Sequence, residues 1–131
     1  MQPVRRQWHT RKVACTIQAM SCLFCKIAAG EIPARIVYEN ADCLAFADIS
    51  PQAPTHLLVI PREHIQSLEQ ATAEHAPLLG ALMSAAATVA RQAGLAKGYR
   101  VVLNTGAEGG QTVDHLHLHV LGGRAMHWPP G

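Results

Sequence analysis

A chain of 131 residues, 49% hydrophobic and 15% charged, is long enough for one domain with a core and too apolar for a disordered segment. Its net charge of +2 divides unevenly: residues 1–20 carry Arg5, Arg6, Arg11 and Lys12 and no acid, so the remainder stands at −2, with 7 basic and 9 acidic side chains. A nearly neutral body excludes broad electrostatic binding of nucleic acid, and no apolar run approaches the roughly 20 residues of a membrane span, so a soluble protein is expected.

The lead segment, residues 1–20, has no helical or strand period. Two readings stay open: a basic targeting presequence, or an extension upstream of a natural start at Met20. Either way it is placed outside the folded domain, residues 21–131. With no secretory h-region, a reducing cytoplasm is expected for the four cysteines, and an organelle if the lead is a presequence. "SCLFCKIAAG" predicts a short helix closed by Gly30. "ARIVYEN" and "CLAFAD" predict two strands joined by a turn at Glu39 to Asp42. "ISPQAPT" is a proline-broken loop, and "HLLVIP" a strand ending at Pro61. "TAEHAPLLGALMSAAATVARQAG" predicts the one long helix, capped by Thr72 and Gly94, with Leu78, Leu82, Ala86, Val89, Ala90 and Ala93 on one face. "YRVVLN" predicts a strand, "TGAEGGQT" a glycine-rich loop, "HLHLHVL" the last strand and "GGRAMHWPPG" an irregular tail. Strands on both sides of the helix, with short links, predict an α+β fold with an antiparallel sheet of about five strands.

Side chains alternate across a strand, so His115, His117 and His119 share one face, about 7 Å apart in succession, while Leu116, Leu118 and Val120 face the core. Three readings of such a row compete: a solvated strand face, a metal site, or nucleophilic and acid–base catalysis. The loop before it offers Gly106, Gly109 and Gly110 amides with Gln111 and Thr112 side chains, and Asn104 precedes it. Glycine-rich backbone can turn N–H groups toward an anion, and its adjacency to three imidazoles favours phosphoryl chemistry.

"HLHLHVL" resembles the motif of the histidine triad (HIT) superfamily, and "LAFADISPQAPTHLLVIP", "KGYR", "GGQTV" and "HVLGGRAMHWPPG" resemble its Hint branch, the purine nucleoside phosphoramidases. The likeness covers about residues 22 to 131. It implies a HIT-like α+β fold with one long and one short helix, a homodimer whose sheets join, and attack of a histidine on a nucleotide α-phosphate to give a nucleotidyl-histidine. By this resemblance His117 is the nucleophile, while His115, His119 and His56 orient it, contact phosphate and relay protons. Asp48 is matched to the ribose hydroxyls, Asn104, Gly110, Gln111 and Thr112 to the phosphate and leaving group, and Leu23, Phe24, Ile27, Phe46, Ile49 and Leu58 to the purine slot. Trp128 lies in the tail that reaches the partner subunit in this branch. Thr112, Asp114 and Ala47 depart from the usual pattern and bear on leaving-group preference.

No cofactor is required by this chemistry. The Cys-x-x-Cys pair offers a structural zinc set, Cys22, Cys25, His56 and His115, against the plainer reading of two small buried residues. His64, His75, His9 and His127 have no motif support beyond the position of His127 in the matching tail. The expected activity is hydrolysis of purine nucleoside 5′-phosphoramidates. The alternatives are a nucleotide sensor or interaction module, and a diadenosine polyphosphate hydrolase.

Overall fold

The computed structural model describes residues 21–131, and the basic lead segment with both of its readings lies outside them. Helix α1, Leu23–Ala28, is opened by the Cys22 thiol, which accepts a hydrogen bond from the Cys25 amide at 3.4 Å. Strands β1, Ile36–Glu39, and β2, Cys43–Ala47, follow. The Asn40 side-chain oxygen accepts from the Asp42 and Cys43 amides, each at 2.9 Å, and closes the turn between them. Strand β3, Thr55–Pro61, leads to helix α2, Ala76–Gln92, and then to β4, Tyr99–Val102, and β5, Leu118–Gly122. The sheet is antiparallel throughout in the order β1-β2-β3-β5-β4, as the HIT-like reading requires.

The long helix is shorter at its start than its sequence pattern predicts. Residues Ala73–His75 form a separate 3-10 turn, with the Thr72 amide donating to His75 Nδ1 at 2.9 Å. Pro77, which has no N–H to leave unsatisfied, then sits at the first turn of α2. Gly94, with φ +74°, closes the helix as expected. Leu82, Ala86, Val89 and Ala90 of the predicted face are buried and Leu78 packs beside them, whereas Ala93 is exposed.

Alternation divides the core between the two faces of the sheet. Cys43, Ala45, Leu57, Val59, Leu116, Leu118 and Val120 meet α2 on one side. Leu44, Phe46, Leu58 and Ile60 meet Phe24 and Ile27 of α1 on the other. Both faces of β2 and β3 are covered, which explains their unbroken apolar runs. Gly122 lets Leu95 pack closely on the strand: a Cβ there would stand 2.6 Å from Leu95 Cδ1, and the leucine side chain would have to shift. Among the described residues no helix is long and apolar enough to cross a membrane.

The histidine row differs from its prediction in one respect. The ladder of β5 starts at Leu118, so only His119 lies in the strand; His115, at the end of a bend, and His117 lie in the segment that leads into it. Pairing of β3 with β5 runs from Thr55↔Gly122 to Val59↔Leu118 and goes no further. Pro61, at the end of β3, has no N–H to offer a ladder, and its carbonyl binds the His115 ring instead. The alternation survives the loss of pairing, since Leu116 still joins the α2 side of the core.

Candidate active site

The α1 face of the sheet carries the histidines, and each takes its protonation pattern from a fixed neighbour. A carbonyl only accepts, so the 2.6 Å contact of His117 Nδ1 with the His115 carbonyl puts a proton on Nδ1. The neutral ring then has its lone pair on Nε2. Burial pushes His117 below the usual imidazole range, opposed by the His115 carbonyl and the charge of Asp48. The edge of Phe24 supports the ring, with centroids 5.1 Å apart and planes at 89°.

His56 and His119 form a second unit. The Gln52 amide donates to His56 Nδ1 at 3.0 Å, so the neutral His56 ring carries its proton on Nε2. That proton is given to His119 Nδ1, 2.9 Å away, which leaves the His119 proton on its own Nε2. Burial, with His117 and His56 nearby, lowers the His119 pKa to about 4. Asp48 Oδ2 lies 3.4 Å from His56 Nε2, and Asp48 Oδ1 accepts from the Ser50 amide at 2.8 Å. Asp48, His56 and His119 lie close enough to suggest a cation site, but His56 Nε2 bears a proton and the His119 Nδ1 lone pair is already used. The trio is therefore joined by hydrogen bonds and a close carboxylate contact rather than arranged around a cation.

A better candidate ligand set stands beside it, and it corrects the zinc set expected from sequence. His64, not His56, joins Cys22, Cys25 and His115, with all four ligand atoms within 4.8 Å of one another. His56 is taken by Gln52, His119 and Asp48 on the other side of the site. His115 Nδ1 lies 3.4 Å from both thiol sulfurs, and His64 Nδ1 lies 3.2 Å from the Cys25 sulfur. Metal–sulfur bonds of about 2.3 Å and metal–nitrogen bonds of about 2.0–2.1 Å give a tetrahedral S···N edge of about 3.6 Å. The observed spacings are only slightly shorter, so the quartet fits a tetrahedral zinc-type ion. His115 Nε2 donates to the Pro61 carbonyl at 2.9 Å, which turns the Nδ1 lone pair toward the sulfurs. Burial lowers the His115 pKa to about 4, keeping the ring neutral as a ligand must be. His64 is also pushed down by burial, against the pull of Asp114.

The other expected residues divide. Phe24, Ile27, Phe46 and Leu58 are buried together, and the Phe24 and Phe46 rings meet edge-on at 5.4 Å. Ile49 stands apart, 97% exposed. Gly110, with φ +84°, lies beside Asn104. The Gln111 amide is spent on main-chain groups, accepting from the Gly106 amide of its own loop and donating to the Val113 carbonyl and to that of Gln66 in the segment after β3. Thr112 and Asp114 are exposed and line a cavity of about 320 Å³ with Cys22, His64 and Gln66, next to the ligand quartet. Trp128 is 83% exposed. Sequence reasoning missed His64 and Gln52. Neither carries a motif, and a main-chain donor such as the Gln52 amide leaves no mark on residue type.

Known proteins resemble this chain over most of its length. The HIT domain family model matches residues 29–126. A HIT family hydrolase of known structure from Legionella pneumophila superposes with a TM-score of 0.82 at 53% identity, over 84% of this chain and 99% of that one. A histidine triad nucleotide-binding protein from Candida albicans gives a TM-score of 0.71 at 32% identity, covering 83% of each chain. A 14 kDa zinc-binding protein from maize is 51% identical over 111 residues, 83% of this chain and 87% of the relative.

Proposed function

The chain belongs to the HIT domain family, and from that premise we propose that it hydrolyses purine nucleoside 5′-phosphoramidates through a nucleotidyl group carried on His117. The observation that carries this reading is the 2.6 Å bond from His117 Nδ1 to the His115 carbonyl, which leaves an uncharged Nε2 lone pair as nucleophile. His117 Nε2 attacks the α-phosphorus, the P–N bond breaks, and its electron pair departs with the amine. The departing nitrogen needs a proton, for which His119 Nε2–H is the positioned donor. Water then attacks the nucleotidyl phosphorus, returns a proton to His119 Nε2 and releases His117.

In this reading Asp48 accepts from the ribose hydroxyls, a task suited to a group that only accepts. Asn104, Gly110 and Thr112 serve the phosphate and leaving group, and Gln111 holds their loop in shape. Phe24, Ile27, Phe46 and Leu58 form the apolar bed for the purine, with Ile49 free to close over it. Cys22, Cys25, His64 and His115 would hold zinc, which when bound supplies a structural cross-link between α1 and the histidine segment. His115 thereby serves as ligand and as carbonyl support of the nucleophile. Residues 21–131 form the catalytic domain of a cytoplasmic homodimer, with residues 1–20 an appended segment.

Intact-mass analysis after mixing with an adenosine phosphoramidate and quenching should show one nucleotidyl adduct, mapped to His117. His117→Ala should reduce turnover by at least about a thousandfold while AMP binding persists. Wild-type turnover near background with AMP binding intact would instead indicate a nucleotide sensor. Preference for a diadenosine polyphosphate would place the chain with the related hydrolases.

A further inference from the structure

The tautomer of His56 depends on one main-chain N–H, and that N–H is held from the far end of the chain. Pro51 and Pro54 have no amide hydrogen, and in the loop between β2 and β3 the Gln52 amide reaches His56 Nδ1 at 3.0 Å. The Gln52 side chain donates back to the Ser50 carbonyl at 2.9 Å, and the Ser50 amide donates to Asp48 Oδ1 at 2.8 Å. The Gln52 carbonyl accepts from Arg124 Nη2 at 3.1 Å. Arg124 Nη1 also donates to the Ala125 carbonyl at 3.1 Å and contacts Met126 Sδ at 3.3 Å. Its acceptors among the described residues are thus neutral groups of its own tail and of the loop. Next to it, Gly123 presses on Pro54: a Cβ at Gly123 would stand 2.8 Å from Pro54 Cβ.

The bond between His56 Nε2 and His119 Nδ1 could run in either direction. An N–H arriving at His56 Nδ1 decides it, because a neutral imidazole has one donor and one acceptor nitrogen. We infer that Arg124 is a positioning residue: by clamping the Gln52 carbonyl it aims the Gln52 amide at His56, and so keeps the proton of His119 on Nε2. The catalytic meaning of that proton rests on the function proposed above; the hydrogen-bond chain itself does not.

The test reads both separately. Long-range ¹⁵N–¹H spectra of the full chain without ligand should show single Nε2–H tautomers at His56 and His119. In Arg124→Ala both should become mixtures, with circular dichroism unchanged because Arg124 is exposed. The kcat on an adenosine phosphoramidate should fall about fivefold, the scale of one hydrogen bond, at nearly constant KM. Arg124→Lys, which keeps one donor within reach, should restore most of both. Unchanged tautomers at His56 and His119 in Arg124→Ala would overturn the inference whatever the activity. Shifted tautomers in a chain that turns over no phosphoramidate would uphold it and reject the hydrolase reading.

Discussion

At the scale of single residues, the site works by removing choice from imidazoles. Each of His56, His115, His117 and His119 has at least one ring nitrogen committed to a neighbour that fixes its tautomer: the Gln52 amide, the Pro61 carbonyl, the His115 carbonyl and the His56 ring respectively. Burial keeps the triad neutral near pH 7, since a charged imidazole would be desolvated without a carboxylate in full contact. This neutrality has a pH consequence. His119 is lowered from 6.5 to about 4 in the folded chain, so the unfolded chain binds the proton more readily. Its contribution to stability is present above about pH 6.5 and is lost as pH falls toward about 4. Urea titrations at pH 7.5 and 5.0 should show a smaller loss on acidification in His119→Gln than in the wild type. An equal loss in both would assign the acid sensitivity to other groups.

At the scale of elements, the apolar runs of β2 and β3 are explained by two coverings, α2 on one face and α1 on the other. The α2 side has no part in the proposed chemistry, so changes there should act on stability alone. Leu82 is 1% exposed at the centre of that interface. Leu82→Ala should cost about 2–5 kcal/mol of unfolding free energy, as deep cavities do, with KM for a nucleotide substrate unchanged in the molecules that remain folded. Calorimetry and steady-state kinetics on the same preparation would check both halves. The lead-in to β5 shows the opposite economy. Freed from the ladder beyond Val59, the chain from His115 to His117 uses its carbonyl and its rings for the site rather than for the sheet.

At the scale of the whole molecule, a candidate ligand quartet brings the start of α1 beside the histidine segment, with members from three separate stretches of chain. Zinc bound there should raise the melting temperature, because it cross-links segments that are distant in the unfolded chain. His64→Ala should lose the bound zinc and that increment of melting temperature, whereas His56→Ala should retain both. Metal content by mass spectrometry, beside thermal melts with and without a chelator, distinguishes the two variants. Zinc lost from His56→Ala but kept in His64→Ala would reverse the assignment drawn from the ligand distances.

Much of this was legible in the linear chain. Apolar, β-branched runs bounded by turn residues marked the strands, and period-two alternation placed Leu116, Leu118 and Val120 in the core. Helical spacing marked α2 through Leu82, Ala86 and Val89, and three histidines at every second position announced a shared face. These are local signals, written in residue type and spacing. What the folded chain alone decided is which partner each imidazole meets. Cys22 and His115 are 93 residues apart, and His56 and His119 are 63 apart. The choice between His56 and His64 as fourth ligand depends on where β3 ends and the chain turns. No local pattern records it, because the contact is made by chain closure and packing, and much of its specificity lies in backbone groups that every residue shares.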